Sequence, residues 1–202
     1  MKITAIVLAG GKSLRLGRNK VIEPFEGKTL IEHVVGRLRP LAGQLIIVTS
    51  HEQSDPPPLE KTEVVTDVYP GKGPLGGLYT GLLAARYAHS IVVGCDMPFL
   101  NTELLRFMAE SAPNFDAVIP RLSETTIEPL HAIYAKSCLD KIKIQLEGDQ
   151  LGIHTFLSTV RLRYIEREEC LRFDPGLISF LNINSQIELD RALALAKRGE
   201  IK

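Results

Sequence analysis

Tryptophan is absent from this 202-residue chain, cysteine occurs only three times, and no net formal charge is left over. Cys95, Cys138 and Cys170 are far apart and odd in number, with no C-x-x-C pair. Neither a disulfide framework nor a thiolate zinc site is indicated, and reduced thiols fit a cytoplasmic protein. The five histidines, at 33, 51, 89, 131 and 154, form no H-E-x-x-H. Lys and Arg total 24, as do Asp and Glu. That balance speaks against a nucleic-acid binder that works by neutralising phosphates, and against a polybasic membrane-surface protein. No apolar run approaches the roughly 18 residues of a membrane span. Residues 3–9 imitate the apolar part of a short signal peptide, but Gly10, Gly11, Lys12 and Arg15 follow at once and fit no cleavage region.

What is present suits a globular domain: 45% hydrophobic and 24% charged residues, enough apolar side chain to bury a core. Residues 3–9 read as a fully buried strand. Thr29 offers a helix cap, after which Leu30, Ile31, Val34, Val35 and Leu38 recur at helical spacing and stop before Pro40. Strands are expected at 45–49, 63–66, 91–95, 117–120, 131–134 and 161–165. Helices are expected near 76–88, 102–111, 137–147 and 153–158, with a last one from Ser185. Strands alternating with helices, and no linker or repeat, imply one three-layer α/β/α domain over 1–202 with a mostly parallel, mixed central sheet. Ligands of such sheets sit outside the carboxyl ends of the strands.

The loop after the first strand reads Leu8, Ala9, Gly10, Gly11, Lys12, Ser13, Leu14, Arg15, Leu16, Gly17, Arg18, Asn19, Lys20. Glycines let backbone N–H groups close on a polyphosphate, and the cations neutralise it. A solvated basic turn is the plain alternative. It is not a Walker loop, because the first glycine would fall on Ile6, nor a dinucleotide fingerprint, because Lys12 stands where the second glycine belongs. The segment resembles L-A-[GA]-G-x-S-x-R-[ML]-G-x-x-K of nucleotidyltransferases, and most closely the molybdenum cofactor guanylyltransferase family (MobA type). Leu16 and Asn19 stand where methionine and aspartate are common. The resemblance implies a Rossmann-like, GT-A-like nucleotidyltransferase fold. Leu8, Ala9, Gly10 and Gly11 would line the nucleotide, with Lys20 and Arg15 on the triphosphate.

Asp96 ends the apolar segment 90–95, on the ligand side of such a sheet, where one carboxylate suits Mg²⁺. The alternative is a cap of the following helix, for which Asn101 and Thr102 are better placed. The family's D-x-P aspartate binds the metal, a role carried to Asp96. Gly73 to Leu78 resembles the family's G-P-L-[AG]-G-[IL], with Asp67 upstream as a nucleotide contact. The plain alternative there is a turn, with helix packing at Gly76 and Gly77. Ser50 takes the place of an asparagine near the base. Arg121 and the stretch from Pro129 to Tyr134 resemble the motif facing the acceptor, although His131 reads equally as a core histidine. Asn182 and Asn184 resemble N-x-N-T-P-x-D-L, from which Gln186, Ile187 and Glu188 depart, so they serve the acceptor or cap the last helix.

The resemblance implies transfer of GMP from GTP to molybdopterin, with molybdenum bound, and release of pyrophosphate. Residues 1–100 would hold nucleotide and Mg²⁺, and residues 101–202 the acceptor. Partners would be GTP, molybdopterin and proteins of molybdenum insertion or molybdoenzyme maturation, with neither nucleic acid nor membrane. A cytidylyltransferase acting on molybdopterin or another small phosphorylated acceptor, and a nucleotide-binding regulatory subunit without catalysis, are the competing readings.

Overall fold

Every side chain from Thr4 to Leu8 is buried, which a strand achieves only with a neighbour on each edge and a layer on each face. The computed structural model describes residues 2–10, 22–50 and 56–197, and it shows that arrangement. Strand β1 (Thr4–Leu8) lies between β4 (Gln44–Thr49) and β6 (His89–Gly94), both parallel to it. Outside β4 runs β5 (Glu63–Thr66), also parallel. On the other side β6 pairs antiparallel with β8 (His131–Ala135), which pairs antiparallel with β7 (Ala117–Arg121). Strand β9 (Leu162–Glu166) closes the seven-stranded sheet, whose order is β5-β4-β1-β6-β8-β7-β9. The mostly parallel, mixed α/β sheet read from the sequence is therefore present, and the one reversed strand is β8.

Alternate residues of the central strands feed two cores. Ala5, Val7, Ile47 and Val93 pack with helices α1 (Leu30–Leu38) and α3 (Thr102–Glu110). Ile6, Leu8, Val48 and Val92 pack with α2 (Gly73–Ala84) and α4 (Leu139–Glu147). A third cluster joins Phe25 and Leu30 to Ile183, Leu189 and Ala192, the latter two on the last helix, α7 (Gln186–Lys197). Thr29 caps α1 as expected, in a reciprocal box: Glu32 N–H donates to Thr29 Oγ1 at 3.4 Å and Thr29 N–H to Glu32 Oε2 at 2.6 Å. Such a cap contributes about 1 kcal/mol.

Helix α2 runs earlier than the 76–88 read from the sequence. Pro74 sits in its first turn, where a missing N–H costs nothing. Its end is set by β4: Gln44 Oε1 accepts the Arg86 N–H at 2.8 Å, and Gln44 Nε2 donates to the Ala84 carbonyl at 3.3 Å. Three further features carry no periodicity: the hairpin of β2 (Pro24–Phe25) and β3 (Lys28–Thr29), turned by Glu26 and Gly27 at positive φ, and two helices too short for a repeat, α5 (Ile153–Leu157) and α6 (Arg167–Leu171).

The face of α2 on β1 is made of glycine. A Cβ at Gly81 would lie 2.5 Å from Ile6 Cγ2, and one at Gly77 3.3 Å from Leu8 Cδ2. Gly36 in α1 is exposed, with nothing within 4 Å of such a Cβ. Gly81→Val is expected to cost about 1–3 kcal/mol by overpacking, whereas Gly36→Ala should add about 0.5–1 kcal/mol of helix stability. Urea midpoints moving in opposite directions for the two variants check this.

Candidate functional site

Because β4, β1, β6 and β7 run the same way, their carboxyl ends meet along one edge of the sheet. The amino end of β8 joins them there, being antiparallel. The end of β1 is clamped on both sides: Ala9 N–H donates to the Val48 carbonyl at 2.9 Å, and Cys95 N–H to the Leu8 carbonyl at 3.1 Å. Gly10 is the first exposed residue past this clamp. A Cβ there would meet nothing nearer than Ser50 N at 3.9 Å, so protein packing does not demand the glycine. Ser50, half-buried at the end of β4, thus stands beside it. Gly11, Arg15 and Lys20 lie outside the described residues.

Asp96 stands just beyond β6, and its carboxylate folds back over Gly94. A Cβ at Gly94 would lie 2.5 Å from Asp96 Oδ1, so the glycine leaves the hollow that the carboxylate fills. The helix that follows is capped by Asn101, whose Oδ1 accepts from Leu104 N–H at 2.9 Å, so Asp96 is not that cap. The Asp96 carbonyl accepts from Ile183 N–H at 2.9 Å, which fastens the segment carrying Asn182 and Asn184 to the turn after β6. The last helix is closed by Ser185 and Glu188: Glu188 N–H donates to Ser185 Oγ at 3.3 Å, and Glu188 Oε2 accepts from Ser185 Oγ at 3.0 Å. Glu188, read from the sequence as a departure from the motif, supplies the carboxylate of that closure.

Asp67 is held inward. Its Oδ1 accepts from Tyr69 N–H at 2.9 Å and from Thr80 Oγ1 at 2.8 Å, binding the turn after β5 to α2. Gly76 packs there, since a Cβ would lie 2.8 Å from the Tyr69 carbonyl oxygen. Gly73 begins α2 at a φ of 64°, a conformation glycine takes without strain. Thr80, the partner of Asp67, had no signal in the sequence because its role rests on a contact thirteen residues away.

Arg121 ends β7 with its guanidinium on Glu166, at 3.0 Å from Nε and 2.5 Å from the terminal nitrogen, and over the Tyr164 ring. The guanidinium holds the Glu166 carboxyl below its usual range. Glu128 was not singled out in the sequence. Its N–H donates to the Pro120 carbonyl at 3.0 Å, and its carbonyl accepts from His131 N–H at 3.1 Å, a turn leading into β8. Burial, with Asp96 nearby adding to it, pushes the Glu128 carboxyl upward. No helix among the described residues is long and apolar enough to cross a membrane.

Residues 5–164 match the family model for the MobA-like NTP transferase domain. A protein of Desulfosudis oleivorans named molybdenum cofactor guanylyltransferase is 31% identical, over 98% of this chain and 98% of its own. Molybdopterin-guanine dinucleotide biosynthesis protein A from Archaeoglobus fulgidus superposes with a TM-score of 0.81 at 28% identity, covering 97% of this chain and 100% of that one. The 2-C-methyl-D-erythritol 4-phosphate cytidylyltransferase of Thermus thermophilus superposes with a TM-score of 0.73 at 16% identity, covering 98% of this chain and 100% of its own. That likeness shows the fold alone.

His131 sits at the same edge but faces inward. It is fully buried, its ring centroid 4.6 Å from that of Phe180 with the planes tilted by 49°, and with no ordinary hydrogen bond at either ring nitrogen. The ring therefore cannot touch an acceptor in this structure, and the core reading of His131 is the one its position supports. Burial lowers its pKa from 6.5 to about 4, only partly opposed by Asp174 and the Ser179 main chain. The unfolded chain then binds a proton that the folded one refuses. This contribution to stability is whole above pH 6.5 and is lost as pH falls toward 4. Wild type should lose about 2 kcal/mol between pH 7 and 5 from this source, and His131→Leu should flatten that slope. Urea titrations of both proteins at the two pH values measure it.

Proposed function

The chain belongs to the MobA-like NTP transferase family, and from that footing we propose that it transfers GMP from GTP to the terminal phosphate of molybdopterin. The observation that carries the reading is Asp96 at the carboxyl end of β6, beside the clamped end of β1, in a chain matched to this family over most of its length. A phosphate oxygen of the acceptor attacks the α-phosphorus of GTP. The bond from that phosphorus to the bridging oxygen breaks, and pyrophosphate leaves with the electron pair. The nucleophile is already an anion, so no base is needed; the obstacle is repulsion between anions. Catalysis is then positioning and charge neutralisation.

Gly10 and the main chain around it receive the nucleotide, while Lys20 and Arg15 bear on the triphosphate. The Asp96 carboxylate, seated over Gly94 at the ligand edge of the sheet, is an oxygen donor of the kind a hard divalent cation takes. Mg²⁺ bound by Asp96 supplies positive charge to the nucleotide phosphates. Asp67 acts by fixing the turn between β5 and α2 beside the nucleotide. Residues 101–202 serve the acceptor: Asn182 and Asn184 reach it from the segment tied to Asp96, and an acceptor phosphate competes with Glu166 for Arg121. The space beside Gly10 favours a purine, because CTP-using relatives tend to carry alanine where this chain has Gly10. The reaction belongs in the cytoplasm, with molybdenum-insertion or molybdoenzyme-maturation proteins as partners.

Pyrophosphate release with each of the four NTPs, Mg²⁺ and molybdopterin tests the assignment: GTP should be preferred, and CTP preference overturns it. Asp96→Ala and Lys20→Ala should each lose about 10²–10³-fold in turnover with the fold intact. Near-normal rates in either variant would sink the proposed roles. Gly10→Ala should narrow the preference for GTP over CTP, read as the ratio of kcat/KM values.

A further inference from the structure

One side chain at the end of the turn after β6 serves two partners at once. Asn101 Oδ1 accepts from Leu104 N–H at 2.9 Å, closing the first turn of α3, and Asn101 Nδ2 donates to the Phe173 carbonyl at 2.8 Å, 72 residues away. Aspartate and serine cap helices as well as asparagine does, but a carboxylate has no proton to donate and a hydroxyl has no second arm. Phe173 opens a strap, residues 173–183, that ends on the same turn. There Ile183 N–H donates to the Asp96 carbonyl at 2.9 Å, and the buried Ile183 side chain shares a cluster with Phe99. The two ends of the strap are thus fastened to the two ends of segment 96–101. Between them the strap closes on itself: Asp174 Oδ2 accepts from Ser179 N–H at 2.8 Å, and Leu177 N–H donates to the Asp174 carbonyl at 3.0 Å. The Phe173 ring stacks on Phe107 of α3. Beside the start of the strap, however, lies a hollow of about 260 Å³ lined by Arg37, Phe99, Thr102 and Pro175. Packing on that side is incomplete, so the main chain at Phe173 is placed by the Asn101 amide.

Asn182 and Asn184, both half-buried, flank Ile183 at the far end of this strap. We infer that Asn101 is a positioning residue for the transfer: through the strap it sets Asn182 and Asn184 relative to Asp96, and so the acceptor relative to the nucleotide. The inference rests on the reading of those two asparagines as acceptor contacts. Its rival is a helix cap and nothing more.

Asn101→Ser separates the two, because serine keeps the cap and loses the bond to Phe173. Amide hydrogen exchange in the full chain reads the far end of the strap: the Ile183 amide should exchange roughly 3–10-fold faster, as expected for one lost hydrogen bond, while the amides of α3 stay as they were. In pyrophosphate-release kinetics KM for molybdopterin should rise by a similar factor, roughly 3–10-fold, with KM for GTP unchanged. A cap alone predicts neither shift, and the absence of either one overturns the inference. Equal rises in both KM values mean general loosening and overturn it too. Asn182→Ala and Asn184→Ala are measured alongside. If neither raises KM for molybdopterin, the acceptor reading of the asparagines fails and takes the inference with it. If they raise it and Asn101→Ser does not, the inference alone fails. Should Asn101→Ser not fold, Asn101→Asp keeps the cap and the side-chain length without the donor, and the same two readouts decide.

Discussion

Strand β6 is the hinge of the whole arrangement, because it is hydrogen-bonded in parallel to β1 on one side and antiparallel to β8 on the other. Parallel pairing brings the carboxyl ends of β1 and β6 level, so the loop after Leu8 and the turn after Gly94 open side by side. Antiparallel pairing brings the amino end of β8 to that same edge. Were β6 displaced by one residue, Asp96 would leave the hollow above Gly94, and every neighbour that now faces it would lose its place.

The surrounding structure serves this edge by close approach rather than by bulk. Helix α2 lies against β1 through glycines, bringing its own first turn near the end of the strand. The turn before it is shaped by Asp67, Tyr69 and Thr80, so a carboxylate at the rim is spent on local order. From the other end of the chain, the Ile183 amide holds on to the Asp96 carbonyl. The buried group of Asp174 and Ser179, where Asp174 Oδ2 accepts from Ser179 N–H at 2.8 Å, steadies the segment that carries Phe180 onto His131. Far-separated parts of the sequence therefore bear on one short turn through main-chain hydrogen bonds, which do not depend on side-chain identity and leave little trace in the letters.

Electrostatics follow the same division. The chain has no net charge, so attraction for a polyphosphate must come from local placement of cations and amides rather than from an overall field. Away from the edge, acids are matched: Asp116 accepts from Arg161 N–H at 2.9 Å, which holds its carboxyl below the usual range. At the edge the balance differs for Glu128, whose carboxyl is pushed upward mainly by burial.

Local chemistry alone determined much of this protein. The apolar runs of β1, β4 and β6, the capping of α1 by Thr29, the glycine-rich exit from β1 and the carboxylate closing β6 are all readable over a few neighbouring residues, because the forces that set them act over that span. The resemblance of those same letters to a nucleotidyltransferase family supplied the chemistry. Tertiary structure decided what depends on neighbours in space: that β8 runs backwards, that Gln44 ends α2, that His131 points into the core, and that Ile183 fastens the distant asparagine segment to the Asp96 carbonyl. Period-two patterning in a strand is the same whichever way the strand runs and whatever covers its faces, so only the assembled sheet could choose among those outcomes.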